Sequence, residues 1–85
     1  MFDDTKQKYV ILNRYDEVII FNSVLEHSDF RHLKPVSAGF CYIDRDKVNC
    51  FGESISLKLE SRDVDSFLAT KQIFGWEKAE KLKIQ

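Results

Sequence analysis

The chain has few of the residues that mark common functional motifs. Its three glycines are too scattered to form a phosphate-binding loop. Its two cysteines are too few for a disulfide framework, and no GxSxG nucleophile motif is present. These absences predict no catalytic residue, no metal ligand set and no cofactor.

The sequence also lacks a long apolar run and a strong charge of either sign. No stretch approaches the roughly 20 apolar residues of a membrane span, and the first residues do not resemble a signal peptide. We therefore expect a cytoplasmic protein with free thiols and no membrane association. A formal net charge of −1 argues against a protein that coats nucleic acid.

What the chain does have is enough apolar material for a packed core. Of its 85 residues, 44% are hydrophobic, and seven Phe, three Tyr and one Trp are among them. This length predicts a single domain over residues 1–85. Residues 1–7 are expected to form a loose polar lead-in, and residues 76–85 a charged tail in which Trp76 could serve a docking segment.

The pattern of apolar residues predicts an α+β fold with the order ββαβββα. It consists of a mainly antiparallel sheet of about five strands and two helices. The first hairpin pairs 9–13 with 18–21, so that Ile11 opposes Ile20 near the middle of the sheet. The first helix begins at a Ser23–Glu26 capping box or at 28–29 and ends before Pro35. The second helix begins at Ser61 or Asp63 and ends at Gly75.

Residues 38–60 are expected to form the other three strands. A turn at 45–46 places Cys41 opposite Cys50 and Phe40 opposite Phe51. A second turn at 52–53 then returns a third strand alongside the second. Alternation sorts these residues onto two faces. One face is expected to carry Cys41, Ile43, Val48, Cys50, Ile55, Leu57 and Leu59, and the other Phe40, Tyr42, Asn49, Phe51, Ser54, Ser56 and Lys58.

The cysteine pair has two interpretations. It could act as a redox pair or, with a histidine, as part of a metal site; alternatively both thiols fill the core, which is the more common environment of free cysteine. His27 and His32 are five residues apart and fall on different faces of a helix, so they cannot jointly bind one metal.

The opposite face provides the candidate binding residues Phe40, Tyr42, Phe51 and Lys58. An intramolecular core would use these aromatic side chains if a helix covered them. If they are exposed, they predict a non-enzymatic interaction module that binds a protein or a second copy of itself. The alternative is a module that stacks single-stranded bases on this face; the slightly acidic composition makes nucleic acid the weaker prediction.

Two segments carry a resemblance to known sequences: residues 36–40 (Val-Ser-Ala-Gly-Phe) and residues 50–62, which begin Cys-Phe-Gly-Glu-Ser. Over about residues 8–74 the chain resembles small uncharacterised proteins of bacteria and their phages. The resemblance implies a cytoplasmic accessory protein rather than a metabolic enzyme, and it carries over no functional residue.

Overall fold

A computed structural model describes residues 6–83 of the chain. Residues 1–5 of the predicted lead-in and 84–85 of the predicted tail lie outside the described residues. The elements are β1 (Gln7–Leu12), β2 (Val18–Phe21), β3 (Pro35–Ile43), β4 (Val48–Phe51), β5 (Glu53–Ser54), β6 (Leu59–Glu60), α1 (Asp65–Phe74) and α2 (Trp76–Lys83), with 3-10 helices at Arg14–Asp16 and His27–Leu33.

The sheet has four strands in the order β2-β1-β3-β4, and every neighbouring pair is antiparallel. Strands β5 and β6 form a separate two-stranded ribbon. The predicted α+β class is therefore confirmed, whereas the prediction of a single sheet of about five strands is wrong. Strand β2 lies at an edge rather than in the middle.

The β3–β4 hairpin has the predicted register. Cys41 pairs with Cys50 and Phe40 with Phe51. The N–H of Asp44 donates to the carbonyl of Lys47 at 2.9 Å and closes the turn. Because side chains alternate along each strand, this register places the two cysteines on one face and the aromatic side chains on the other.

The predicted third strand of this segment does not pair with β4. Instead the chain bends away at Gly52, whose φ of 78° is in the left-handed region, and residues 53–54 pair with 59–60. Ile55, expected beside Cys50, is 84% exposed. The outer edge of β4 is already occupied by α1: the N–H of Val48 donates to Thr70 Oγ1 at 2.9 Å.

The first hairpin differs from its prediction by two residues. Ile11 pairs with Val18, not with Ile20, because a 3-10 turn lengthens the loop and the N–H of Leu12 bonds the carbonyl of Glu17 at 2.8 Å. A shift of two residues leaves every side chain on its expected face.

The outer edge of β2 is covered by a side chain of α1. The N–H of Val18 donates to Gln72 Oε1 at 2.7 Å, and Gln72 Nε2 donates to the carbonyl of Val18 at 2.6 Å. With Thr70 on the opposite edge, α1 supplies hydrogen-bond partners to both edge strands of the sheet.

The predicted first helix is a 3-10 helix, and its N-cap, Glu26, lies between the two predicted caps. Its cap joins Glu26 to Asp29, since the N–H of Glu26 donates to Asp29 Oδ2 at 3.1 Å; Ser23 is not the cap. It ends at Leu33, with Lys34 as its C-cap, before Pro35 as predicted. Helix α1 begins at Asp65, and Gly75 ends it with a φ of 98°.

The two faces of the sheet are covered by different elements. Helix α1 packs on the face of the cysteines, and α2 packs against α1. The second 3-10 helix and the ribbon contribute Phe30, Leu57 and Leu59 to the other face. The prediction that Ile55, Leu57 and Leu59 share the cysteine face is therefore wrong.

Candidate functional site

Three aromatic side chains of β3 and β4 form a strip on the less covered face of the sheet. This aromatic strip consists of Phe40, Tyr42 and Phe51. Tyr42 is 40% exposed and Phe51 is 38% exposed. Their rings stack with centroids 5.5 Å apart and an interplanar angle of 17°. The strip thus presents two stacked, partly exposed rings, those of Tyr42 and Phe51, on the β3–β4 hairpin.

Phe40 anchors the inner end of the strip. It is partly buried, its ring lies 6.2 Å from that of Phe51, and it meets the ring of His27 edge-on at 5.5 Å. A methyl group added at Gly52 would lie 3.2 Å from the Phe40 ring. Phe40 is therefore fixed by its surroundings, while Tyr42 and Phe51 face solvent.

His27 connects the aromatic strip to the core. Its side chain is buried between the rings of Phe40 and Phe21, the latter 5.6 Å away. Nε2 lies 2.7 Å from the carbonyl oxygen of Gly39 and donates to it. Burial lowers the pKa of His27, so the ring is neutral near pH 7 and acts as a structural donor.

Two lysines, Lys6 directly before β1 and Lys8 within it, lie beside the strip and were missed as site residues at the level of sequence. Lys6 Nζ lies 4.4 Å from the centroid of the Phe40 ring, within cation–π distance. Lys8 is the strand partner of Phe40, but its ammonium is held by the carbonyl of Leu25 at 2.7 Å and by Glu26 at 3.6 Å. Alternation along β1, continued by one residue before its start, was the signal that could have placed both lysines on this face.

Lys58 does not join the aromatic strip. Its predicted place on that face depended on the third strand, and the structure places it in the turn of the ribbon, where its N–H bonds the carbonyl of Ile55 at 3.3 Å. There it lines grooves with residues such as Glu60 and Lys34, and no strip residue lines either groove. The strip and Lys58 are separate features.

The two cysteines lie on the opposite face, under α1. Cys41 is fully buried, and both thiols are free. The N–H of Cys50 donates to Ser66 Oγ at 2.8 Å. Burial raises the pKa of Cys41 to about 11 and, with repulsion from Cys41 and Asp65, raises the pKa of Cys50 to about 12. Neither thiol is activated as a nucleophile.

A buried polar cluster beside Cys50 joins β1 to the start of α1. The hydroxyl of Tyr9 donates to Asp65 Oδ2 at 2.5 Å, and both residues are fully buried. Asp65 also accepts from the backbone N–H and from Nε of Arg62, each at 3.0 Å. Burial and the bond to Asp65 strongly raise the pKa of Tyr9. The buried contact between Tyr9 and Asp65 fastens α1 to the sheet.

The residues that could have formed a metal site are held apart. His27 packs on the face of the aromatic strip, whereas Cys41 and Cys50 pack under α1 on the other face. Within residues 6–83, no group of three or more His, Cys, Asp or Glu side chains is arranged to hold a metal ion. The site that combines one histidine with both cysteines is not assembled.

The helices of residues 6–83 are all too short or too polar to cross a membrane. Comparison of the chain with protein-family models, with curated proteins and with solved structures finds no match.

Proposed function

We propose that the protein is a non-enzymatic interaction module that binds another protein through the aromatic strip. The observation that carries this proposal is the exposure of Tyr42 and Phe51 on a face that α1 leaves uncovered. Aromatic side chains are enriched in the cores of protein interfaces. The free thiols favour a reducing cytoplasm as its location.

The state of the sheet edges favours binding through the face rather than through an edge. An added strand needs free N–H and C=O groups along an edge strand. On β4 the outward N–H groups of Val48 and Cys50 already bond Thr70 and Ser66, and on β2 Gln72 occupies Val18. These occupied edge positions favour side-chain contacts across the strip as the mode of recognition.

Site-specific photo-crosslinking in the native host tests this proposal. Benzoylphenylalanine is introduced at position 42 and, as a matched control, at Tyr15, which is 86% exposed. We expect a discrete crosslinked protein from position 42 only, lost when Phe51→Arg is added. Equal crosslinking from both positions, or none from position 42, would contradict it. Sedimentation velocity of the purified protein then distinguishes a second copy from a different partner.

A single observation supports a second candidate, a module for single-stranded nucleic acid. Lys6 lies over Phe40, next to the stacked rings of Tyr42 and Phe51, and such rings can stack bases beside a cation. Fluorescence anisotropy with labelled single-stranded oligonucleotides at low salt tests it. Binding that weakens with salt and with Tyr42→Ala supports this candidate, and the absence of binding rejects it.

A further inference from the structure

One of the two grooves that Lys58 lines lies between the second 3-10 helix and the ribbon, away from the aromatic strip. Its volume is about 420 Å³, within the range of sites for small molecules. Three cationic residues line it, namely Arg31, Lys34 and Lys58. No carboxylate belongs to its lining, although acidic residues outnumber Lys and Arg in the whole chain by 14 to 13.

These three cations have no carboxylate partner within the part of the chain that the structure describes. The ion pairs found there involve other cations, at Lys8, Arg62 and Lys78. Like charges that converge on one groove repel each other, and an anion placed among them removes that repulsion. The charge pattern therefore suits an anionic ligand.

The two lysines of the groove have an unusual backbone conformation. Lys34 has a φ of 56° and Lys58 a φ of 57°, and this left-handed conformation costs about 1 kcal/mol or more for most residues. Glycine or asparagine would adopt it at lower cost. The two turns therefore explain the backbone conformation, but they do not explain why lysine occupies both positions.

Helix capping accounts for only part of the pattern. Cations near the end of a helix interact favourably with its last carbonyls, which would explain Arg31 and Lys34. Lys58 belongs to the ribbon and has no such role. Arg31 also reaches the ribbon, where Nη2 donates to the carbonyl of Ser56 at 2.7 Å, so that one guanidinium is held between the two walls.

We propose that this groove binds a phosphate group, either as inorganic phosphate or as the phosphomonoester of a small organic molecule. Arg31 and the two lysines supply charged donors of the kind that bind phosphate oxygens, and the Ser56 hydroxyl supplies a neutral one. Pro35 and Leu57, which also line the groove, provide apolar surface for the carbon part of an ester.

Titration of the ¹⁵N-labelled protein by NMR tests the proposal. Inorganic phosphate and glycerol 2-phosphate are added separately at constant ionic strength, with sodium chloride as the reference. We expect saturable amide shifts confined to residues 31–35 and 56–59. A lower dissociation constant for one probe identifies the source of the phosphate. Shifts that do not saturate, or that match those in chloride, would overturn the proposal.

Variants separate binding from stability. Lys34→Asn and Lys58→Asn each remove a charge and keep a residue that tolerates the left-handed backbone, so the urea midpoint should not fall. Each is expected to weaken phosphate binding by about tenfold, the value of one charged hydrogen bond. Lys81→Gln, at an exposed position of α2, is the matched control. Unchanged affinity in both groove variants would refute the proposal.

Discussion

The two faces of the β3–β4 hairpin share one backbone but differ in what covers them. Cys41 and Val48, on one face, are fully buried under α1, whereas Tyr42 and Phe51, on the other, are partly exposed. The difference arises because α1 bonds the edges of the sheet and the shorter elements of the other face stop before the end of the hairpin. One face of the hairpin is thus closed by α1, and the other is open in part to solvent.

The closed face is the one that carries Cys41 and Val48 under α1. Its stability depends most on the polar cluster of Tyr9, Arg62 and Asp65, and the largest predicted effect is there. Asp65→Ala leaves the Tyr9 hydroxyl and the Arg62 guanidinium without their carboxylate partner. We expect the free energy of unfolding to fall by about 3–5 kcal/mol, as when one member of a buried charged network is removed. Urea denaturation measures this loss.

The control is Asp63→Ala, at an exposed position of the same loop, which should change the free energy of unfolding by less than about 0.5 kcal/mol. Equal losses in the two variants would show that the cluster is not the fastening point.

Alkaline pH should also act on the closed face. In the unfolded chain the thiols lose their protons near pH 8.5, whereas the folded pKa values are about 11 for Cys41 and about 12 for Cys50. Their stabilising contribution is complete below the unfolded pKa and is lost as the pH rises through the folded ones. The urea midpoint should therefore decline from pH 9 to 11.

The matched variant for this prediction is Cys41→Ala/Cys50→Ala. Its midpoint starts lower, but it should decline less steeply over the same pH range because two of the titrating groups are gone. The raised pKa of Tyr9 contributes a further decline above about pH 10 in both proteins. Parallel slopes in the two proteins would contradict the assignment to the thiols.

The capping of the sheet edge by α1 is predicted to have a smaller effect. Gln72→Met keeps the length of the side chain but removes both hydrogen bonds to Val18. We expect a loss of about 1–3 kcal/mol, the sum of two ordinary hydrogen bonds. The uncovered edge should also promote association at high concentration, which light scattering detects. Ile73→Met, at the neighbouring exposed position, is the control; association of both variants to the same extent would rule out the edge as its cause.

Features of the hairpin that depend on local sequence could be predicted, whereas those that depend on distant residues could not. The β3–β4 register followed from local information, because a tight turn and strict alternation determine both the partner and the face of each residue. The third strand failed because its exclusion is non-local: Thr70 and Ser66, more than ten residues along the chain, occupy the edge of β4. A glycine turn signals a reversal, but it cannot show whether the neighbouring edge is free.

The candidate site was predictable to a similar degree. Phe40, Tyr42 and Phe51 were placed on one face by alternation alone, but their exposure depended on which face α1 covers. Lys6 was missed because it reaches the strip through the pairing of β1 with β3. The Tyr9–Asp65 contact joins residues 56 positions apart, and the apolar run around Tyr9 gave no indication of a polar partner.

The smallest predicted effect on stability is on the open face, which carries Tyr42 and Phe51. Tyr42→Thr and Phe51→Thr remove the exposed rings and put in their place a β-branched residue, which also favours a strand. Each should cost about 0.2–1 kcal/mol, the value of a cross-strand side-chain pair. The same residue type introduced by Val48→Thr on the closed face should cost about 1–3 kcal/mol, because it buries a hydroxyl in an apolar setting. Urea denaturation of the three variants makes the comparison directly.

If the strip variants lose as much stability as Val48→Thr, the rings are core residues and the proposed binding surface is wrong. If they remain stable, they are also the variants with which the loss of a partner can be measured, since the fold that presents the strip is unchanged.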